Sequence, residues 1–307
     1  MAILLSDVGG TNARLALSRS GSIDAATVSR YRGDDFASYD DVIRRYLDEQ
    51  GSPRIEAVCI AVAGPVASGA AQLTNRDWDF SEDRLIALTG AGRALIINDL
   101  VALGHAMAGP QGRATELLRD TSGLRARNGQ SVVVNAGTGF NICVVCQPRQ
   151  GRAVCMESEE GHTRLPEPVL RMLKQAMGDD IADFSSLEEL FAGRGLARLH
   201  GRLSGHPVAR AEDVTTAAAE GDARAGATLD LYTAMLGLAC REFALRYLPL
   251  DGMYLAGSVA RTAAARFDLF ERNLLADGLM RDIPQAVPVR VIRDDMAALH
   301  GCLAAIL

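Results

Sequence analysis

Ala2-Ile3-Leu4-Leu5-Ser6-Asp7-Val8-Gly9-Gly10-Thr11-Asn12 opens the chain with an apolar strand and a glycine turn, and residues 13–18 then alternate in polarity as a returning β-strand does. The device recurs 128 residues downstream, where Val132-Val133-Val134-Asn135-Ala136-Gly137 matches Leu4-Leu5-Ser6-Asp7-Val8-Gly9. In the second copy residues 131–134 form the strand, Asn135-Ala136-Gly137-Thr138-Gly139 the turn and 140–146 the returning strand. Two such hairpins facing each other would direct two sets of backbone N–H groups at one polyphosphate. Around them strand and helix alternate. A helix is expected over 38–49, then an apolar run at 57–63 of the kind central parallel strands have, stopped by Ala63-Gly64-Pro65-Val66. A helix at 81–89, capped by Ser81 with Glu82-Asp83 in its first turn, leads to an apolar strand at 94–97 that ends in Asn98-Asp99. The alternation implies an α/β architecture. Helices are expected at 166–177, 187–191, 195–203, 208–220 and 223–248, strands at 253–256 and 289–292, and a closing helix at 295–305 that packs back on the first domain.

The 307 residues suggest about two domains, and 48% hydrophobic with 23% charged residues is the composition of an ordinary globular protein. The 32 basic and 38 acidic residues leave a net charge of −6 with no basic, aromatic-laced stretch, which disfavours nucleic acid as a partner. Lys174 is the only lysine. That excludes a P-loop Gly-Lys-Ser/Thr, and it disfavours protein-kinase and pyridoxal chemistry, because Lys174 lies in an expected amphipathic helix at 170–177. There is no basic N-terminal leader and no uninterrupted apolar run of membrane length, so a cytoplasmic protein is expected, with no membrane partner. Cys59, Cys143, Cys146, Cys155, Cys240 and Cys302 sit mostly in apolar runs and are expected to be buried thiols. Cys143 and Cys146, three apart on a strand, point to opposite faces, which argues against zinc or redox chemistry there.

Asp7 before two glycines is an ordinary turn residue when met alone. Here Gly9 and Gly10 permit close backbone approach to a phosphate, Thr11 adds a hydroxyl, Asp7 can hold magnesium through water, and the duplicate makes chance a poor account. Asp99 follows an apolar strand, where ligands gather in open α/β sheets, although it could equally cap the helix after it. A cap does not explain Asn98 beside it, or the polar cluster Glu157-Ser158-Glu159-Glu160-Gly161-His162 after the strand at 152–156.

Taken in order and spacing, Asp7-Val8-Gly9-Gly10-Thr11-Asn12-Ala13-Arg14-Leu15-Ala16, Ala63-Gly64-Pro65-Val66, Thr74-Asn75-Arg76-Asp77-Trp78 and Ile97-Asn98-Asp99 closely resemble the bacterial ATP-dependent glucokinases. So do Ala136-Gly137-Thr138-Gly139, Glu159-x-Gly161-His162 and Glu188-x-x-x-x-Gly193-x-Gly195-Leu196, and the seven motifs cover essentially the whole chain. Asn12, with no later cysteine-rich zinc motif, is unlike the related repressor-type (ROK) sugar kinases. The resemblance implies an α/β, two-domain actin-like (ribonuclease H-like) ATPase fold with an interdomain cleft. Residues 1–109 with about 294–307 would form the small domain and 110–293 the large one. It implies phosphorylation of D-glucose by Mg-ATP, with Asn98, Asp99, Glu159, His162 and Glu188 on the sugar and Asp99 as base. Gly9, Gly10, Thr11, Asn12, Gly137, Thr138, Gly139 and Gly257 would bind the nucleotide and Asp7 the magnesium. A homodimer is common in such proteins. Carboxylates that accept from sugar hydroxyls, with an amide and an imidazole as donors, suit a neutral polyol.

Three departures stand out: Glu160 where the pattern has glycine, Asn141 where the second hairpin usually has glycine, and Ala256-Gly257-Ser258 where a double glycine is usual. Glu160 would bring charge near the sugar pocket and suggests another hexose or an amino sugar as an alternative substrate. Asn141 and Ala256-Gly257-Ser258 suggest altered nucleotide binding or a catalytically weak sugar-binding paralogue. The presence of Asp99 favours an enzyme, since binding alone has less need of a base.

Overall fold

A computed structural model describes residues 1–73, 76–108, 115–276, 278 and 280–307. Thr74 and Asn75 of the motif before Trp78, and the expected boundary at 109–110, lie outside the described residues. The chain divides into two compact units, one of Met1–Ala114, Ala153–Cys155 and Asp294–Leu307, the other of Thr115–Arg152 and Met156–Arg293.

In the first unit β1 (Ala2–Val8) returns as β2 (Asn12–Arg19), and the antiparallel register sets Asp7 opposite Arg14. Asp7 is therefore part of the strand rather than of the turn. β3 (Ser22–Ile23) and β4 (Ser29–Arg32) both pair with β2. α1 (Tyr39–Glu49) starts where the Ser38 hydroxyl accepts from the Asp41 N–H, and leads to β5 (Ile55–Val62), which lies parallel to β1. β5 is buried on both faces with a period of two. Val58, Ile60 and Val62 face the cluster that contains Tyr39, Val42 and Ile43 of α1, and the smaller Ala57, Cys59 and Ala61 face the opposite one. A small sheet of β6 (Val66–Ala67), β7 (Ala70–Gln72) and β8 (Asp79–Ser81) precedes α2 (Glu82–Thr89), which Ser81 caps and Gly90, at φ 69°, ends. β9 (Arg93–Asn98) is parallel to β5 and runs directly into α3 (Asp99–Ala108).

The second unit repeats the plan. β10 (Thr115–Arg119) is followed by the hairpin β11 (Gln130–Ala136) and β12 (Phe140–Cys146), then by β13 (Val154–Met156), whose Val154 and Cys155 are counted with the first unit. Helices α4 (Glu167–Met177), α5 (Leu187–Phe191), α6 (Gly193–Ser204), α7 (Ala211–Ala219) and α8 (Ala223–Tyr247) come next. β14 (Gly252–Ala256), α9 (Ser258–Ala264), α10 (Phe267–Leu274), α11 (Asp282–Gln285) and β15 (Val289–Ile292) complete it. β11 lies parallel to β14 and β14 to β15, so the run β12-β11-β14-β15 has the connectivity of β2-β1-β5-β9. The duplication read from one hairpin thus extends over four strands. α8 runs through the main core of this unit, burying Leu229, Tyr232, Met235, Leu236 and Phe243.

The chain ends in α12 (Ala297–Ile306), which packs on α3 within the first unit. The approach is so close that a Cβ on Gly301 would lie 1.7 Å from the Ala102 carbonyl oxygen. Gly226, near the start of α8, has open space beside it. Gly301→Ala should therefore destabilise by roughly 1–3 kcal/mol through overpacking, whereas Gly226→Ala should add about 0.5–1 kcal/mol through helix propensity. Thermal melts of the two variants check this; equal shifts would contradict the α3–α12 contact.

Candidate active site

In the first unit the Gly9 N–H donates to the Asn12 carbonyl at 2.9 Å and closes the turn, while the Gly33 N–H donates to Thr11 O at 2.8 Å and holds it from outside. A cavity of 280 Å³ opens here, lined by Asp7, Gly9, Gly10, Thr11, Asn12, Arg14 and Arg30. Arg14 stands opposite Asp7, and Arg30 opposite Arg14, so one acid and two bases cross three strands beside the turn. Arg14 also donates to the Asp295 carbonyl. Arg14 belongs to a quoted motif, but Arg30 carries no local signal; strand pairing alone brings it in.

Asn98 and Asp99 sit where β9 becomes α3. Asn98 Nδ2 donates to Gly64 O at 3.0 Å, and its Oδ1 accepts from the Leu100 N–H at 2.9 Å. Asp99 Oδ1 accepts from the same N–H at 2.8 Å. Both candidate residues thus cap α3: Asn98 shares the capping that was one of two readings of Asp99, and it ties α3 to the Ala63-Gly64 turn. Gly64 is required there, since a Cβ would come 2.6 Å from the Gln72 carbonyl. Burial, reinforced by the charge of Asp7, pushes the Asp99 carboxyl up to about 6, with the Leu100 N–H pulling the other way. Asp7 is likewise raised by burial, and Arg14 opposes the shift.

In the second unit the Gly137 N–H closes the matching turn on Gly139 O at 2.9 Å, and the Gly193 N–H donates to Gly137 O at 2.8 Å. Gly257, at φ 89°, lies against the end of β11; a Cβ there would sit 2.3 Å from Ala136 O. Of the altered triplet only this glycine is sterically demanded, because Ala256 is an ordinary buried residue of β14. Glu188 comes to the same turn from α5, with Oε2 3.4 Å from the Phe140 N–H, and its Oε1 accepts from Arg194 at 2.7 Å. Arg194 is a partner that sequence reasoning missed.

Glu159 precedes a 3₁₀ turn, Glu160–His162, and His162 ends it; both side chains are exposed, with His162 Nε2 3.8 Å from Glu159 Oε2. Glu160 points the other way. It is buried, and its carboxylate accepts from Arg246 and from the Tyr247 hydroxyl at 2.9 Å. Glu160, expected to bring a charge near the sugar pocket, is thus ion-paired with Arg246 on α8. Asn141 is likewise turned to this loop rather than to the glycine turn, with Nδ2 donating to Ser158 O at 2.6 Å. One unit thus holds Asp7, Gly9, Gly10, Thr11, Asn12, Asn98 and Asp99, and the other holds Gly137, Thr138, Gly139, Glu159, His162, Glu188 and Gly257.

Among the described residues no group of three His, Cys, Asp or Glu side chains could hold a metal, and no helix is long and apolar enough to cross a membrane. Cys59, Cys143, Cys240 and Cys302 are buried, while Cys146 and Cys155 are only partly so.

The chain is 31% identical to a glucokinase of Caulobacter sp. (strain K31) over 98% of this chain and 94% of that protein. A crystal structure of glucokinase from an Antarctic psychrotroph superposes with a TM-score of 0.82 at 27% identity, covering 99% of this chain and 98% of the other. A ROK family glucokinase from Streptomyces griseus, in complex with glucose and AMPPNP, shares the fold at a TM-score of 0.63 and 18% identity, over 99% and 98% of the two chains. The glucokinase family model matches residues 4–307. The chain belongs to the glucokinase family and is an ATP-dependent sugar kinase with the two-domain actin-like ATPase fold.

Proposed function

We propose that this chain is a glucokinase that transfers the γ-phosphoryl group of Mg-ATP to the 6-hydroxyl of D-glucose, with Asp99 as general base. The observation that carries the reading is the setting of Asp99. It is a carboxylate at the carboxyl end of a parallel strand, raised to about 6 by burial and by Asp7. Such a group is ionised at neutral pH, yet takes a hydroxyl proton more readily than a solvated aspartate. Membership in the glucokinase family supports glucose as the acceptor, and the fold shared with a ROK family glucokinase that binds glucose and AMPPNP adds an analogy of fold alone.

In this reading Glu159 and Glu188 accept from sugar hydroxyls, and Asn98 and His162 donate to them. Arg194 occupies Oε1 of Glu188, while Oε2, which takes a long bond from the Phe140 N–H, has a further lone pair to offer the sugar. As O6 bonds to the γ-phosphorus, its proton passes to Asp99, the bond to the bridging oxygen breaks, and ADP leaves. Gly9 and Gly137 spend their N–H groups closing the turns, so phosphate contacts fall to Gly10, Thr11 and Asn12 and to Thr138 and Gly139, with Arg14 and Arg30 in the place of a lysine. Gly257 keeps the second turn open to the nucleotide. The Asp7 carboxylate and Thr11 hydroxyl bordering the cavity are hard oxygen donors of the kind magnesium accepts beside water and phosphate. Bound there, the ion would neutralise phosphate charge. With Glu160 bonded to Arg246 and Tyr247, no observation favours a different hexose or an amino sugar.

ADP release from the purified protein with Mg-ATP should depend on glucose and be much weaker with mannose, fructose, glucosamine and N-acetylglucosamine; preference for any of these over glucose would overturn the assignment. Asp99→Asn should lower kcat by about 10²–10⁴-fold while calorimetry still detects glucose binding. Unchanged turnover would remove Asp99 from the role of base.

The apo protein offers a second check. A carboxyl at about 6 when folded, against an ordinary 3.8, binds more protons folded than unfolded through that interval, so it stabilises at low pH and its contribution is lost as pH rises. Asp99→Asn should then melt higher than wild type at pH 8, with the gap shrinking as pH falls from about 6 to about 4. A gap independent of pH would contradict the burial of this charge.

A further inference from the structure

Two of the departures from the family pattern tie down one short loop: Asn141 grips it from β12, and Glu160, within it, anchors it to α8. We infer that they are positioning residues for the sugar: together they clamp residues 158–163 so that Glu159 and His162 are presented in fixed geometry. The inference rests on the assignment of those two residues to the sugar.

From β12, Asn141 Nδ2 donates to Ser158 O at 2.6 Å and lies 3.4 Å from Glu159 Oε2, while its Oδ1 accepts from the Gly161 N–H at 3.4 Å and the Ile142 N–H at 2.9 Å. Ser158 answers by donating its hydroxyl to Ile142 O at 2.9 Å. From the C-terminal end of α8, Arg246 and the Tyr247 hydroxyl, at 2.9 Å, take the two carboxylate oxygens of Glu160. The Thr163 hydroxyl donates to Glu160 O at 2.8 Å, and Thr163 O accepts from Leu187 N–H at 3.1 Å, beside Glu188. Gly161 fills the middle, since a Cβ there would lie 2.0 Å from Phe140 O. The turn therefore has an inner side, Glu160 and Gly161, that is buried, and an outer side, Glu159 and His162, that is exposed.

A glycine at 160 would forgo both side-chain bonds and widen the conformations open to the loop. Glycine at 141 would release Ser158 and Gly161. A buried carboxylate is tolerated because a guanidinium and a hydroxyl meet it; its contribution to the reaction is made through its neighbours, not by touching the sugar.

The test is steady-state kinetics of Glu160→Gly, Glu160→Gln and Asn141→Gly beside wild type, with amide hydrogen exchange of residues 158–163 measured without sugar. Glu160→Gly and Asn141→Gly should each raise the KM for glucose about 10-fold, a factor worth about 1.4 kcal/mol, with the KM for ATP nearly unchanged. Their loop amides should exchange faster. Glu160→Gln, which can still bond Tyr247, should fall between wild type and Glu160→Gly and serves where the glycine variant does not fold. Wild type active on glucose, with variants unchanged in glucose KM, overturns the inference and spares the glucokinase reading. Wild type inactive on glucose overturns that reading and the sugar-positioning role with it, and loop amides that exchange no faster in the variants overturn the clamp whatever the activity.

Discussion

The site residues stand on backbone that packs at separations no Cβ would allow. Gly257 rests on the carbonyl of Ala136, Gly161 on that of Phe140 and Gly64 on that of Gln72. Each contact seats one loop against a strand or hairpin, and each loop carries or supports a group assigned to chemistry: the nucleotide turn, the Glu159–His162 pair and the amide of Asn98. Removing the Cβ costs chain entropy in the unfolded state, but it lets the polypeptide itself, rather than long side chains, set the position of the site. This is also why glycine motifs were the most informative stretches of the sequence.

On that frame the charges are arranged unevenly. Glu188 and Glu160 each have an arginine, and Glu189 has two, Arg194 and Arg198. Among the described residues, Asp99 has backbone N–H support and a second acid, Asp7, near enough to raise it further. A lone, partly desolvated carboxylate is a liability to the fold and an asset to a base, and the contrast with its well-paired neighbours is physical grounds for singling it out. The use of arginine throughout follows from a composition with one lysine. A guanidinium holds a carboxylate in two-point geometry and keeps its charge when buried, which an ammonium does less well.

Much of the fold was legible in the chain itself. Ser81 caps the helix it was expected to cap, the helix expected over 38–49 begins one residue later with Ser38 as its cap, the apolar run near 57–63 is a strand buried on both faces, and both hairpins formed. The short polar strands β3, β4 and β10 and the small sheet of β6, β7 and β8 were not foreseen; they have two to five residues, too few to show a period, and their pairing comes from distant partners. Of the candidate site residues, Asp7, Asn98, Asp99, Glu159 and His162 drew notice beside glycine turns and strand ends, whereas Glu188, on α5, was named only through the family resemblance. Arg30, Arg194, Arg246 and Tyr247 did not draw notice, because each is brought to its partner by strand register or helix packing across a long stretch of chain.

The sequence by itself determined the α/β alternation, the duplicated hairpin, the exclusion of lysine-based phosphate binding and the family, since these depend on local spacing and residue identity. Only the tertiary structure decided what Glu160 and Asn141 do. Read along the chain, an extra carboxylate and an amide near a sugar motif suggest altered specificity. Packed, they face inward to α8 and across from β12, because a buried carboxylate must find a donor, and the donors lie 86 and 87 residues away.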